Sequence, residues 1–77
     1  MTLAELKLKE RGTVSSLAAE PDTARRLREL GFGAGSEVRP LFRAPSGDPT
    51  AYAVCGTVIA LRRTEAEGIL LSSSGKV

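Results

Sequence analysis

Apolar residues along the chain come in short bursts, and each burst has its own spacing. Leu3, Leu6 and Leu8 stand among charged neighbours, which predicts a short helical turn laying a leucine or two on the core. Gly12 opens the first extended stretch, Thr13 to Ala18, with Val14 and Leu17 as its apolar anchors. Pro21 stops that strand, and Asp22 is placed to cap a helix from Thr23 to Leu30. Ala24, Leu27 and Leu30 recur every three residues as one apolar stripe, and Gly31 suits the left-handed position after the last turn. Arg25, Arg26, Arg28 and Glu29 form the polar side of that helix.

The pattern then changes to a period of two. In Ser36 to Ala44 the alternation puts Val38, Pro40 and Phe42 on one face, and Glu37, Arg39, Leu41 and Arg43 on the other. Pro40 has no N–H to give, so this strand is expected at an edge or with a bulge there. Ala51–Val54 and Thr57–Arg62 flank Cys55-Gly56, a hairpin signal. Tyr52 and Val54 share a face of the first, and Thr57, Ile59 and Leu61 share a face of the second. Thr64 followed by Glu67 matches a capping box and predicts one helical turn, ended by Gly68. Ile69 to Leu71 is a short last strand, and residues 72–77 read as a frayed polar tail. Five short strands, one helix inserted after the first, and one or two single turns can close only as a small β-barrel, so the fold class is all-β.

The stretch Arg43 to Pro49, "RAPSGDP", connects two of these strands. Ala44 before Pro45 favours extended backbone, Pro45-Ser46-Gly47 favours a reverse turn, and Asp48 can bond its own downstream backbone. A stiff connector accounts for all of it.

Composition narrows the functions. At 77 residues the chain is expected to be one domain, with a small core and little room for a deep cleft. Eleven basic and nine acidic residues leave a net charge of +2, and Phe32, Phe42 and Tyr52 are the only aromatics. That is a poor footprint for nucleic acid, which small barrels bind with basic grooves and stacked rings. There is no histidine, so the commonest general base and metal ligand is missing. The lone Cys55 has no activating base and no disulfide partner, which suits a reducing compartment. The carboxylates show no spacing that would converge on a cation. "GFGAG", residues 31–35, has a helix before it and a strand after it, the reverse of a nucleotide-binding loop. An enzyme is therefore not expected, nor any catalytic, cofactor or metal residue. The charged N-terminus is not a signal peptide, and no apolar run is long enough to span a membrane, so a soluble cytoplasmic protein is expected.

Several elements, taken in order, resemble the FeoA family. They are Arg26-Leu27, Leu30-Gly31-Phe32, Gly35, Val38, Pro45, Gly47-Asp48-Pro49, Gly56, Ala60-Leu61-Arg62, Glu65-Ala66 and Ile69. The resemblance runs from about Leu3 to Leu71. Pro40 and Cys55 are departures from it. It implies an SH3-like barrel and a cytosolic, non-enzymatic accessory of bacterial ferrous iron uptake. The implied partner is the cytoplasmic G-protein part of the FeoB transporter, with membrane contact only through it. On that basis the expected partner-binding residues are Arg26 and Arg28 on the helix and Arg43, Asp48 and Pro49 in the loop. Arg62 is expected to pair with a carboxylate across the barrel. The alternatives are the SH3-like module of a metal-dependent regulator, or a small-barrel nucleic-acid binder. Homo-oligomers, and ferrous iron held by carboxylates converging in one, stay open at this point.

Overall fold

The computed structural model describes residues 1–76. Five strands form one antiparallel sheet in the order β4-β3-β2-β1-β5: β1 Glu10–Leu17, β2 Glu37–Arg43, β3 Thr50–Val54, β4 Thr57–Leu61 and β5 Ile69–Lys76. Helix α1, Pro21–Leu30, is inserted between β1 and β2, and the four-residue α2, Arg63–Ala66, precedes β5. A 3-10 turn, Leu3–Glu5, opens the chain. The expected all-β architecture, with its helix after the first strand, is the observed one.

The leucines of the N-terminal segment divide as their setting suggested. Leu3 and Leu6 are fully buried, while Leu8 is exposed. In α1 the stripe holds, with Ala24 and Leu27 buried, and Gly31 closes the helix in the left-handed region at φ 114°. The start differs. Helix α1 begins at Pro21, whose missing N–H costs nothing in the first turn. Asp22 lies inside the helix and pairs with Arg25 at 3.5 Å instead of capping it. Phe32, directly after Gly31, is fully buried, at the centre of a cluster with Leu3, Leu6, Leu27, Val38 and Leu61. Gly12 lets β1 pass close beneath β5, since a Cβ there would sit 2.7 Å from a methyl of Leu71.

Strand β2 is internal, and Pro40 is accommodated by a bulge. Pro40 pairs with Tyr52 and Phe42 with Ala51, so Leu41 is the extra residue. A bulge breaks the alternation beyond it. Val38 and Pro40 are buried as expected, but Phe42 is turned outward and is 62% exposed. The polar tail also differs from expectation. Ser72 to Lys76 continue β5, pairing with β1 as far as Glu10 opposite Lys76. Their hydroxyl-rich composition still satisfies the ladder, because backbone groups alone make it. Val77, the end of that tail, lies outside the described residues.

Candidate functional site

The loop between β2 and β3 is a closed turn. The amide of Gly47 donates to the carbonyl of Ala44 at 2.7 Å, and that of Ala44 to the carbonyl of Pro49 at 3.0 Å. Gly47 takes φ 93°, the Asp48–Pro49 peptide is cis, and the Ser46 hydroxyl donates to the Asp48 carbonyl at 2.9 Å. Asp48 does not bond its own downstream backbone. Its Oδ1 accepts the amide of Arg63 at 2.9 Å, at the first residue of α2. That amide has no acceptor within its own helix, so the loop carboxylate supplies one and lies at the positive end of the short helix.

Helix α2 is held from its other side too. Glu65 Oε1 accepts the amide of Arg62 at 2.9 Å, closing the first turn two residues earlier than Thr64 would have done. Its Oε2 accepts Arg26 Nη2 from α1 at 2.5 Å. The carboxylate pairing expected of Arg62 is thus made by Arg26. The Arg62 amide, and then the Arg26 guanidinium, hold the Glu65 carboxyl below its ordinary value of 4.5. Tyr52, 3% exposed, lines a cavity of about 20 Å³ with Thr50, Arg43, Asp48 and Arg63. Burial pushes its phenol above 10.0, against the opposing effects of a hydrogen bond with Thr50 and of Arg43 and Arg63. Arg43 Nη2 donates to the carbonyl of Leu6 at 3.1 Å, tying the end of β2 to the N-terminal segment.

Of the five expected partner residues, then, three use their polar groups within the fold: Arg26 on α2, Arg43 on Leu6, and Asp48 on Arg63. Pro49 gives its carbonyl to the turn. The structure gathers Arg43, Asp48 and Pro49 in one loop and links Arg26 to it through α2. Arg28 stands apart, because residues two apart on a helix do not share a face. It is exposed, and among the described residues it has no ion-pair partner. Simple alternation misplaced one residue, Phe42, which stands exposed just before the loop as a consequence of the bulge at Pro40; Leu41 is exposed on the face alternation gave it. Val58, 57% exposed, follows from the alternation of β4, which puts it on the face away from Ile59.

Cys55 is exposed, in the hairpin turn, with its Sγ 3.4 Å from the carbonyl oxygen of Gly31. Among the described residues no three His, Cys, Asp or Glu side chains group as metal ligands, and no helix is long and apolar enough to cross a membrane.

A five-stranded antiparallel sheet of this order, with its helical insertion and small core, is an SH3-like barrel. The FeoA domain family matches residues 1–73, and the chain belongs to that family, whose members are SH3-like accessory proteins of ferrous iron transport. It is similar to the zinc-complexed FeoA of Stenotrophomonas maltophilia, an SH3 domain protein suggested to act as a bacterial ferrous iron transport activating factor. The two are 40% identical over 99% of this chain and 96% of that one, with a TM-score of 0.86. The FeoA protein of Chlorobium tepidum is 45% identical over 92% of this chain and 68% of its own, with a TM-score of 0.85. A manganese-dependent transcriptional repressor shares the fold alone, at 23% identity over 90% of this chain and 39% of its own, with a TM-score of 0.77. The comparison with curated proteins found no significant match.

Proposed function

We propose that this FeoA protein acts in the cytoplasm as a protein–protein interaction module on the G-protein part of an FeoB-type ferrous iron transporter. It meets the membrane only through that partner, and iron is the transporter's cargo. The observation that carries the reading is the placement of Phe42. A phenylalanine 62% exposed, with Leu41 beside it, stands at the mouth of a loop whose polar groups are already bound within the chain. Exposed aromatic anchors beside a rigid loop are what a protein partner recognises, since little entropy is lost on docking. The docking surface is Phe42 with the outer rim of Arg43 to Pro49 and, through α2, Arg26; Arg28 lies on a different face of α1 and would serve as a second, separate contact.

Capture of the transporter's soluble domain by the immobilised protein tests the reading. Wild type is compared with Phe42→Asp, Arg28→Glu and Asp48→Ala, each checked by circular dichroism. Phe42→Asp is expected to lose capture, and Arg28→Glu to weaken it. Equal capture by all four proteins would remove the surface assignment. Capture by none would remove the function.

A further inference from the structure

Strands β4 and β5 end the sheet, and the chain treats the two edges differently. The start of β5 is covered by the N-terminal segment: Thr2 bridges Leu70, and the amide of Leu71 donates to the carbonyl of Met1 at 2.9 Å. Its far end carries Gly75 and Lys76. Strand β4 pairs with β3 alone. Among the described residues no other backbone hydrogen bond reaches Thr57 to Leu61. Edges are normally guarded by a charge, a proline or a bulge. Thr57-Val58-Ile59-Ala60-Leu61 has none of these and pairs with β3 without a shift.

The hairpin fixes which groups face the open side. Cys55 and Gly56, at φ 49° and 75°, form a two-residue turn closed by the pair Val54 and Thr57. In an antiparallel ladder hydrogen-bonded pairs then fall at Thr57, Ile59 and Leu61. Val58 and Ala60 therefore turn their N–H and C=O groups to the open edge, and their side chains stand on the exposed outer face.

We propose that this edge pairs antiparallel with the same edge of a second copy, about a two-fold axis at Ile59. Val58 of each copy then exchanges both backbone hydrogen bonds with Ala60 of the other. Ile59 meets its own equivalent across the closer, non-hydrogen-bonded kind of pair. Strand length selects this register: Ile59 is the midpoint of Thr57–Leu61, so an axis there pairs all five residues of each edge. It also places Arg62 opposite Gly56 and Arg63 opposite Cys55, so that the arginines following each strand do not meet, whereas an axis at Arg62 would set them against each other, which costs stability in a cross-strand pair. The interface is self-complementary, as a closed two-fold contact requires, and it is small, so the dimer is weak and reversible.

Light scattering on a concentration series tests this with the intact chain. The average mass of wild type is expected to rise with concentration. Val58→Lys/Ala60→Lys and Val58→Glu/Ala60→Glu set like charges opposite each other and are expected to raise the dimer Kd by at least about tenfold. Mixing the two is expected to restore a dimer, because each Lys then faces a Glu. Circular dichroism checks that both variants fold, and a second readout does not depend on them. In a Cys55→Ser background, Ile59→Cys is expected to form an intermolecular disulfide on mild oxidation faster than Ser74→Cys. A wild type that stays monomeric throughout overturns the proposal. So do like-charged variants that keep the wild-type mass, or cross-linking no faster at 59 than at 74.

Discussion

Replacing Glu65 separates two interactions that hold α2 in place. One carboxylate oxygen accepts the Arg62 amide and the other accepts the Arg26 guanidinium. Removing a side-chain cap costs about 1 kcal/mol. The ion pair joins a guanidinium half exposed to solvent with a carboxylate 27% exposed, and such pairs contribute about 0.5 kcal/mol. Glu65→Ala loses both and is expected to destabilise the protein by about 1.5 kcal/mol. That is about an eighth to a third of the roughly 4–12 kcal/mol usual for a chain of this length. Glu65→Gln keeps an acceptor for the Arg62 amide and loses only the charge, so its cost is about 0.5 kcal/mol at pH 7. The sign of the pH dependence follows from the lowered Glu65 value. The charged form is favoured in the folded state, so its contribution is complete above 4.5 and is lost as pH falls through the lowered value. Urea titrations of wild type, Glu65→Gln, Glu65→Ala, Arg26→Ala and the double variant Arg26→Ala/Glu65→Ala, at neutral and at acid pH, measure all of this. Wild type and Glu65→Gln should converge in acid, and Arg26→Ala should cost nothing further in the Glu65→Ala background. A gap between wild type and Glu65→Gln that persists unchanged in acid would refute the assignment of the charge to Arg62 and Arg26.

Phe32 is fully buried at the centre of the core, and Phe32→Ala is expected to cost about 3–5 kcal/mol, read as a lost or strongly lowered thermal transition. Gly31→Ala places a Cβ 3.2 Å from both Cβ and Sγ of Cys55 at a φ of 114°, and is expected to cost about 1–3 kcal/mol by urea titration, with Cys55→Gly recovering part of it. Burial disfavours the Tyr52 phenolate, so the folded state holds that proton more tightly than the unfolded chain. Stability should therefore fall as pH rises beyond 10.0, and Tyr52→Phe should remove that fall in melts across alkaline pH. Asp48→Asn keeps an acceptor for the Arg63 amide and Asp48→Ala does not. If Asp48 acts by shaping the loop, capture of the transporter domain should survive the first change and drop with the second.

Much of the architecture was legible because it rests on local causes. The stripe Ala24-Leu27-Leu30 with Gly31 behind it marks α1, and the Cys55-Gly56 pair marks the β3–β4 turn, whichever way the rest of the chain packs. What could not be read depends on residues distant in sequence. Asp48 turns away from its own backbone because the first amide of α2, 15 residues on, lies within reach. Glu65 rather than Glu67 closes the α2 turn, and Arg26 is drawn to it across 39 residues. Strand β5 runs on to Lys76 because β1 offers an unpaired ladder, a cause no local pattern in Ser72-Ser73-Ser74 could reveal. The position of Phe42 lay between these cases. Pro40 announced a bulge or an edge, and only the pairing with β3 shows that the bulge falls at Leu41 and reverses the faces beyond it.

That reversal bears on how a barrel with so few aromatics would recognise the proposed partner. Had the alternation continued, Phe42 would lie in the core and the surface beside the loop would be Leu41 and charge. With one extra residue the chain places its largest exposed ring there instead, while Tyr52 and Phe32 remain inside. The charged residues nearest the loop are at the same time bound to backbone amides and carbonyls of neighbouring elements, which fixes their positions and removes their freedom to reach outward. A surface built this way offers shape and one apolar anchor, with its own charges already committed within the chain. Its affinity for a partner should therefore depend weakly on salt and strongly on truncation of Phe42, since screening acts on exposed charges and not on buried apolar area.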